Sequence, residues 1–94
     1  MARTVTLPPK TWTQITTSNA TKIVFQNQNE GASPLFVKAT VGEVAPTSID
    51  GSWMYLGTKG ELLVIADWFP DVSGANRVYV YSETGGRVAV AHAA

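Results

Sequence analysis

Few residues of the chain could support catalysis. His92 is the single histidine among 94 residues and lies near the C-terminal end. Chain ends are usually poorly held, so we do not expect it to serve as a general base or as the histidine of a serine triad. The chain has no cysteine, which excludes thiolate nucleophiles, thiolate zinc sites and disulfides. The sequence therefore predicts a protein that is not an enzyme and has no catalytic residues.

Two carboxylates, Asp67 and Asp71, flank the Trp-Phe-Pro segment at 68–70. A glycosidase needs two carboxyl groups about 5 to 9.5 Å apart, together with a cleft that holds the sugar. A chain this small has little room for such a cleft. We therefore interpret Asp67 as the cap of a helical turn and Asp71 as a turn residue before Gly74.

The remaining acidic residues show no metal-binding pattern. Glu43, Asp50 and Glu61 are scattered along the chain, with no calcium-loop spacing and no pair of histidines. A glycine-rich phosphate loop is also missing from the sequence. We predict no metal site, no cofactor and no small-molecule substrate.

Aromatic side chains are the stronger candidates for a binding role. Trp and Tyr combine a large apolar surface with one polar atom, which suits protein interfaces. Trp53 and Tyr55 fit a core and an interface equally well, whereas Trp68 is expected to close one end of the fold, because exposed loop tips rarely carry Trp-Phe. The candidate interface residues are Trp12, Phe36, Trp53, Tyr55, Trp68, Phe69, Tyr79 and Tyr81.

Charge excludes two classes of partner. Seven Lys and Arg balance seven Asp and Glu, and only 15% of the residues are charged. A nucleic-acid-binding protein gains affinity by neutralising phosphates, and a polybasic protein gains it on anionic lipid, so neither partner is expected. No apolar run is long enough for a transmembrane helix.

The elements that must position these residues are strands. β-Branched and aromatic residues dominate, and 35–41 alternates, with Leu35, Val37, Ala39 and Val41 predicted to face inward. The fold class is all-β: a small antiparallel β-sandwich or jelly-roll-like barrel of roughly seven to eight short strands. One domain covers 1–94, with 1–9 as an extended N-terminal arm. The predicted strands are 4–7, 11–16, 22–28, 35–41, 53–56, 61–66, 77–83 and 87–91.

Three connections carry specific expectations. The Gly-Gly pair at 85–86 supplies the positive φ angles of a tight turn, which predicts a hairpin between 77–83 and 87–91. Residues 67–74 form a loop with one helical turn. The irregular stretch 42–52 is long, and long loops are often binding segments, so it is a second candidate contact surface.

Several segments of the chain show a recognisable series of strand and turn patterns. These segments are 23–28 (Ile-Val-Phe-Gln-Asn-Gln), 36–42 (Phe-Val-Lys-Ala-Thr-Val-Gly), 45–47 (Ala-Pro-Thr), Asp50-Gly51, Leu56-Gly57 and the closing run 74–93. Together they resemble small virion structural proteins of tailed bacteriophages, and the likeness covers most of the chain.

The resemblance implies a capsid decoration or cement protein on a β-sandwich. Its partners would be the major capsid protein and copies of itself as a homo-oligomer, and its location the capsid surface of a virion assembled in the host cytoplasm. The resemblance implies no catalytic residues in this chain. Two other interpretations stay open: a tail or head–tail connector component, and a carbohydrate-binding module in which Trp12, Trp53, Trp68, Tyr79 or Tyr81 stacks on sugar rings.

Overall fold

The structure, a computed structural model, describes residues 3–16, 20–27, 35–48, 52–55, 61–69 and 72–93. The chain is mostly β, which confirms the predicted class. The elements in chain order are β1 (Arg3–Leu7), β2 (Thr11–Gln14), β3 (Lys22–Asn27), β4 (Leu35–Thr40), β5 (Trp53–Tyr55), β6 (Glu61–Val64), α1 (Ile65–Trp68), β7 (Arg77–Ser82) and β8 (Gly86–Ala93).

The strands form two small antiparallel sheets. The first sheet has the order β1-β8-β3-β6, and the second sheet has the order β2-β7-β4-β5. Every described pairing is antiparallel. Strands β4 and β5 follow one another in the chain and pair directly. In every other case, two strands that follow one another in the chain lie in different sheets.

Alternation along the strands correctly predicts the buried face. Leu35, Val37 and Ala39 are buried and Phe36 is half-buried, as the pattern in β4 predicts. The extension of that pattern to Val41 is wrong, since this side chain is 53% exposed. The strand ends at Thr40, and Gly42 takes a φ of 72°, so the backbone leaves the strand conformation.

One hydrophobic cluster joins the inward faces of both sheets. The first sheet contributes side chains of β1, β3 and β8, and the second sheet contributes side chains of β4 and β7. Four further buried residues come from segments between strands or from α1. The members are Leu7, Ile23, Phe25, Val88 and Val90; Leu35, Val37, Ala39, Val78 and Val80; and Ile15, Ala20, Ile65 and Phe69.

The predicted hairpin at 85–86 is wrong. β7 belongs to the second sheet and β8 to the first, so the Gly85-Gly86 segment crosses between sheets. Both glycines do have positive φ angles, 78° and 131°. The sequence therefore predicts the backbone conformation of Gly85 and Gly86 correctly. The two strands that this segment joins, β7 and β8, pair with other strands and not with each other.

Two such crossings lie side by side. The β1–β2 connection also passes from the first sheet to the second, while β1 pairs with β8 and β2 pairs with β7. A Cβ built on Gly85 would lie 2.8 Å from the Leu7 carbonyl oxygen and 3.2 Å from Pro9 Cδ. Only glycine allows the two crossings to approach this closely.

Each predicted strand differs from the observed one by one or two residues at one or both ends, and two of these differences change an interpretation. Residues 3–7 of the expected N-terminal arm are an edge strand of the chain's own first sheet, with Val5 opposite Val88. The strand predicted over 61–66 ends at Val64, where α1 begins. Val64 is the N-cap, and Asp67 lies inside the turn rather than capping it. Asp71 lies outside the described residues.

Candidate functional site

Three aromatic side chains lie side by side on the outer face of the second sheet. Trp12 of β2 is opposite Tyr81 of β7, and Tyr81 is opposite Phe36 of β4. Val80 and Ser82 point into the molecule, so Tyr81 between them points outward. All three aromatic residues are half-buried. We call Trp12, Phe36 and Tyr81 the aromatic patch.

The rings of the aromatic patch are tilted against one another. The ring centroids of Trp12 and Tyr81 are 5.4 Å apart with an interplanar angle of 47°. Those of Phe36 and Tyr81 are 6.1 Å apart, edge to face, at 62°. Such pairs contribute about 0.5 to 1.5 kcal/mol each beyond the burial of their area. The contacts hold the rings in fixed orientations that do not share one plane.

Lys38 extends across the neighbouring strand toward the aromatic patch. Its Nζ lies 6.0 Å from the centroid of the Trp12 ring, although β7 separates β4 from β2. Its side chain therefore spans β7 and places its charge over a ring face, the favourable side for a cation. The ion pair found in the described part of the chain joins Arg77 to Glu43 at 3.9 Å, and no described carboxylate lies within ion-pair distance of Lys38.

Tyr79 belongs to the same outer face but offers little surface, since only 5% of the residue is exposed. Its Oη donates a hydrogen bond to Gln14 Oε1 at 2.9 Å. Burial raises the pKa of the Tyr79 phenol, and the charge of Glu43 raises it further, while Arg77 acts in the opposite direction. The neutral phenol thus joins β7 to β2.

The other predicted interface residues lie elsewhere. Phe69 is 4% exposed and belongs to the core, and Trp68 is half-buried and packs against the hydrophobic cluster. Trp53 and Tyr55 lie on β5, beside β4. Their side chains fall outside the described residues.

The beginning of the 42–52 loop is hydrogen-bonded to Asn76, the residue that precedes β7. Asn76 Oδ1 accepts a hydrogen bond from Gly42 N at 2.8 Å, and Asn76 N donates to Thr40 O at 2.9 Å. Val41 and Val44 beside this anchor are 53% and 64% exposed. Sequence analysis missed the Asn76 anchor, because Asn76 and Gly42 are 34 residues apart and no local pattern links them.

The residues considered for catalysis or metal binding do not come together in one site within the described residues. Asp67 is exposed on α1. Asp71 and the side chain of His92 lie outside the description. No three His, Cys, Asp or Glu residues of the described segments come together as metal ligands, and no helix in those segments is long and apolar enough to cross a membrane.

Comparisons with known protein families, with curated proteins and with solved structures found no match. The outer face of the second sheet is the candidate functional site. This face has two features of a contact surface: fixed aromatic rings and a cation with no carboxylate partner among the described residues.

Proposed function

We propose that the protein is a non-enzymatic virion structural protein, a capsid decoration or cement protein that binds the major capsid protein lattice. The observation that carries the proposal is the aromatic patch on the outer face of the second sheet. An antiparallel sheet with a solvated face normally has polar residues there. Aromatic residues are instead typical of protein interfaces.

We further infer that the two sheets form a jelly-roll sandwich. The inference is supported by the strand orders β1-β8-β3-β6 and β2-β7-β4-β5 and by the hydrophobic cluster that the two sheets share. This fold is used by viral capsid proteins, lectins and cupins. The fold alone does not distinguish a shell protein from a sugar-binding module or an enzyme, so we infer the function from the residues on the surface.

The ring geometry favours a protein partner over a sugar. Flat stacking of a sugar on several aromatic rings needs ring faces that share a plane. Trp12 and Tyr81 are inclined by 47°, and Phe36 meets Tyr81 edge-on. A tilted set of rings instead resembles the aromatic anchors of protein interfaces, which fit between side chains of the partner.

Two further features agree with a protein present in many copies on a shell. The formal net charge is zero, so neighbouring copies do not repel one another as highly charged proteins do. The strand and turn segments resemble those of small phage virion proteins. A tail or head–tail connector component fits the same features and is the second candidate within the virion.

The test is the number of copies per purified virion, measured by quantitative mass spectrometry against the major capsid protein. A ratio near one, or a simple fraction of it, is expected for a lattice-wide decoration protein. A single ring's worth of copies would indicate the tail or connector. Absence from the particle would contradict both virion assignments, and quenching of tryptophan fluorescence by a soluble polysaccharide would then support the sugar-binding module.

A further inference from the structure

We propose that the shell docks on the aromatic patch together with Lys38, through a segment of the capsid protein that carries a carboxylate beside an apolar side chain. The carboxylate pairs with the Lys38 ammonium group, and the apolar side chain contacts the Trp12, Tyr81 and Phe36 rings. This inference rests on the proposed function and specifies which surface binds and the chemistry of its occupant.

Charge complementarity at Lys38 supports a carboxylate on the partner. Lys38 is half-buried in the monomer, and docking on the aromatic patch would remove it further from water. Burying a charge without an opposite charge is costly. The carboxylate of Glu43 already faces Arg77, at the opposite end of this sheet face from Trp12. The partner must therefore supply the negative group.

The aromatic patch and Lys38 are preorganised for binding. Lys38 already lies over Trp12, and edge and tilted contacts fix the three rings. Ordering flexible side chains on binding costs free energy, and a surface that is ordered beforehand avoids part of that cost. Trp and Tyr are also the residue types that most often dominate binding free energy at interfaces.

The outer face of the first sheet provides the contrast. Its residues on β3 are Lys22, Val24 and Gln26, all exposed. The neighbouring strand β8 contributes Arg87, Ala89 and Ala91 to this face. This face has a cation of the same type without an aromatic neighbour among the described residues. Lys22 is therefore a matched control for Lys38.

The experiment measures binding of the full-length protein to empty capsid shells that lack it, by co-sedimentation over a range of protein concentrations. Empty shells present protein surfaces and no packaged DNA, so a DNA phosphate cannot replace the carboxylate. The variants are Lys38→Glu, Lys38→Gln, Lys38→Arg, Phe36→Ser and the control Lys22→Glu. Thermal unfolding of each variant checks that it is folded.

Removing one partner of a close interfacial charge pair lowers affinity strongly, so we expect binding about tenfold weaker or more for Lys38→Glu. Lys38→Gln is expected to weaken binding less, and Lys38→Arg, which keeps the charge, to stay within about threefold of the wild type. Phe36→Ser is expected to weaken binding by about fivefold or more, and Lys22→Glu to change it less than about twofold.

The outcomes separate this inference from the proposed function. If the wild type does not bind the shells, both are overturned. If the wild type binds and folded Lys38→Glu, Lys38→Gln and Phe36→Ser bind equally well, the virion assignment stands and the docking surface is wrong. Equal loss in Lys22→Glu and Lys38→Glu would indicate general electrostatic attraction and would also overturn the docking surface.

Discussion

Replacing Gly85 with Ala tests the connection between β7 and β8. Gly85 has a φ of 78°, and its added Cβ would lie 2.8 Å from the Leu7 carbonyl oxygen and 3.2 Å from both Pro9 N and Pro9 Cδ. Two of those three atoms are backbone atoms, which cannot move aside as the end of a flexible side chain can. Gly74 has almost the same φ, 76°, with nothing within 4 Å of its added Cβ. Gly74→Ala is therefore a matched control.

Both variants introduce backbone strain, and only Gly85→Ala also introduces crowding. A non-glycine residue in the left-handed region costs about 1 to 2 kcal/mol, and this applies to both. Forcing extra atoms into a packed site costs about 1 to 3 kcal/mol more, and this applies only to Gly85→Ala. The loss of unfolded-chain entropy on replacing glycine is the same in each case and cancels. We expect Gly85→Ala to be less stable than Gly74→Ala by about 1 to 3 kcal/mol.

That difference is readily measured for a chain of this length, whose free energy of unfolding is expected to be about 5 to 14 kcal/mol. Urea unfolding followed by tryptophan fluorescence gives the value directly, and each kcal/mol corresponds to about 4 to 8 °C in Tm. In a β7–β8 hairpin, Gly85 would lie in an open turn and resemble Gly74. Equal destabilisation of the two variants would therefore refute the close approach of the two crossings.

Two further changes test the second sheet and its pH response. Thr16 is 2% exposed and its Oγ1 accepts a hydrogen bond from Val78 N at 3.3 Å, so Thr16→Val should lower the free energy of unfolding by about 1 to 3 kcal/mol. Urea unfolding measures this loss. Thr4 is exposed, so the control Thr4→Val should change the free energy of unfolding by less than about 0.5 kcal/mol. Equal losses in Thr16→Val and Thr4→Val would contradict the buried hydrogen bond. Burial raises the pKa of the Tyr79 phenol, so above about pH 10 the phenol loses its proton in the unfolded chain before it does in the folded protein. The free energy of unfolding should therefore fall above about pH 10, and Tyr79 should contribute no pH dependence to it below that pH. Urea unfolding at a series of alkaline pH values should give a shallower decline for Tyr79→Phe than for the wild type, and an unchanged decline would show that Tyr79 is not the group responsible.

Local patterns in the sequence determined the class of the fold and the inward faces of its strands. Alternation in 35–40 identified Leu35, Val37 and Ala39 as buried, because successive side chains of a strand must point to opposite faces. The same rule placed Tyr79 and Tyr81 on one face. It could not predict that Tyr79 is nearly buried or that its hydroxyl donates a hydrogen bond to Gln14, which is 65 residues away.

The pairing of strands was decided only by tertiary structure. Positive φ at Gly85 and Gly86 suits a hairpin turn and a crossing between sheets equally well, so the local sequence cannot distinguish them. The choice depends on β1 and β2, which pair with β8 and β7 from the other end of the chain. The same pairing brings Trp12 beside Tyr81 and within reach of Lys38. Each aromatic residue of the candidate surface was visible in the sequence, but their assembly required contacts between distant segments, which periodicity along one strand does not encode.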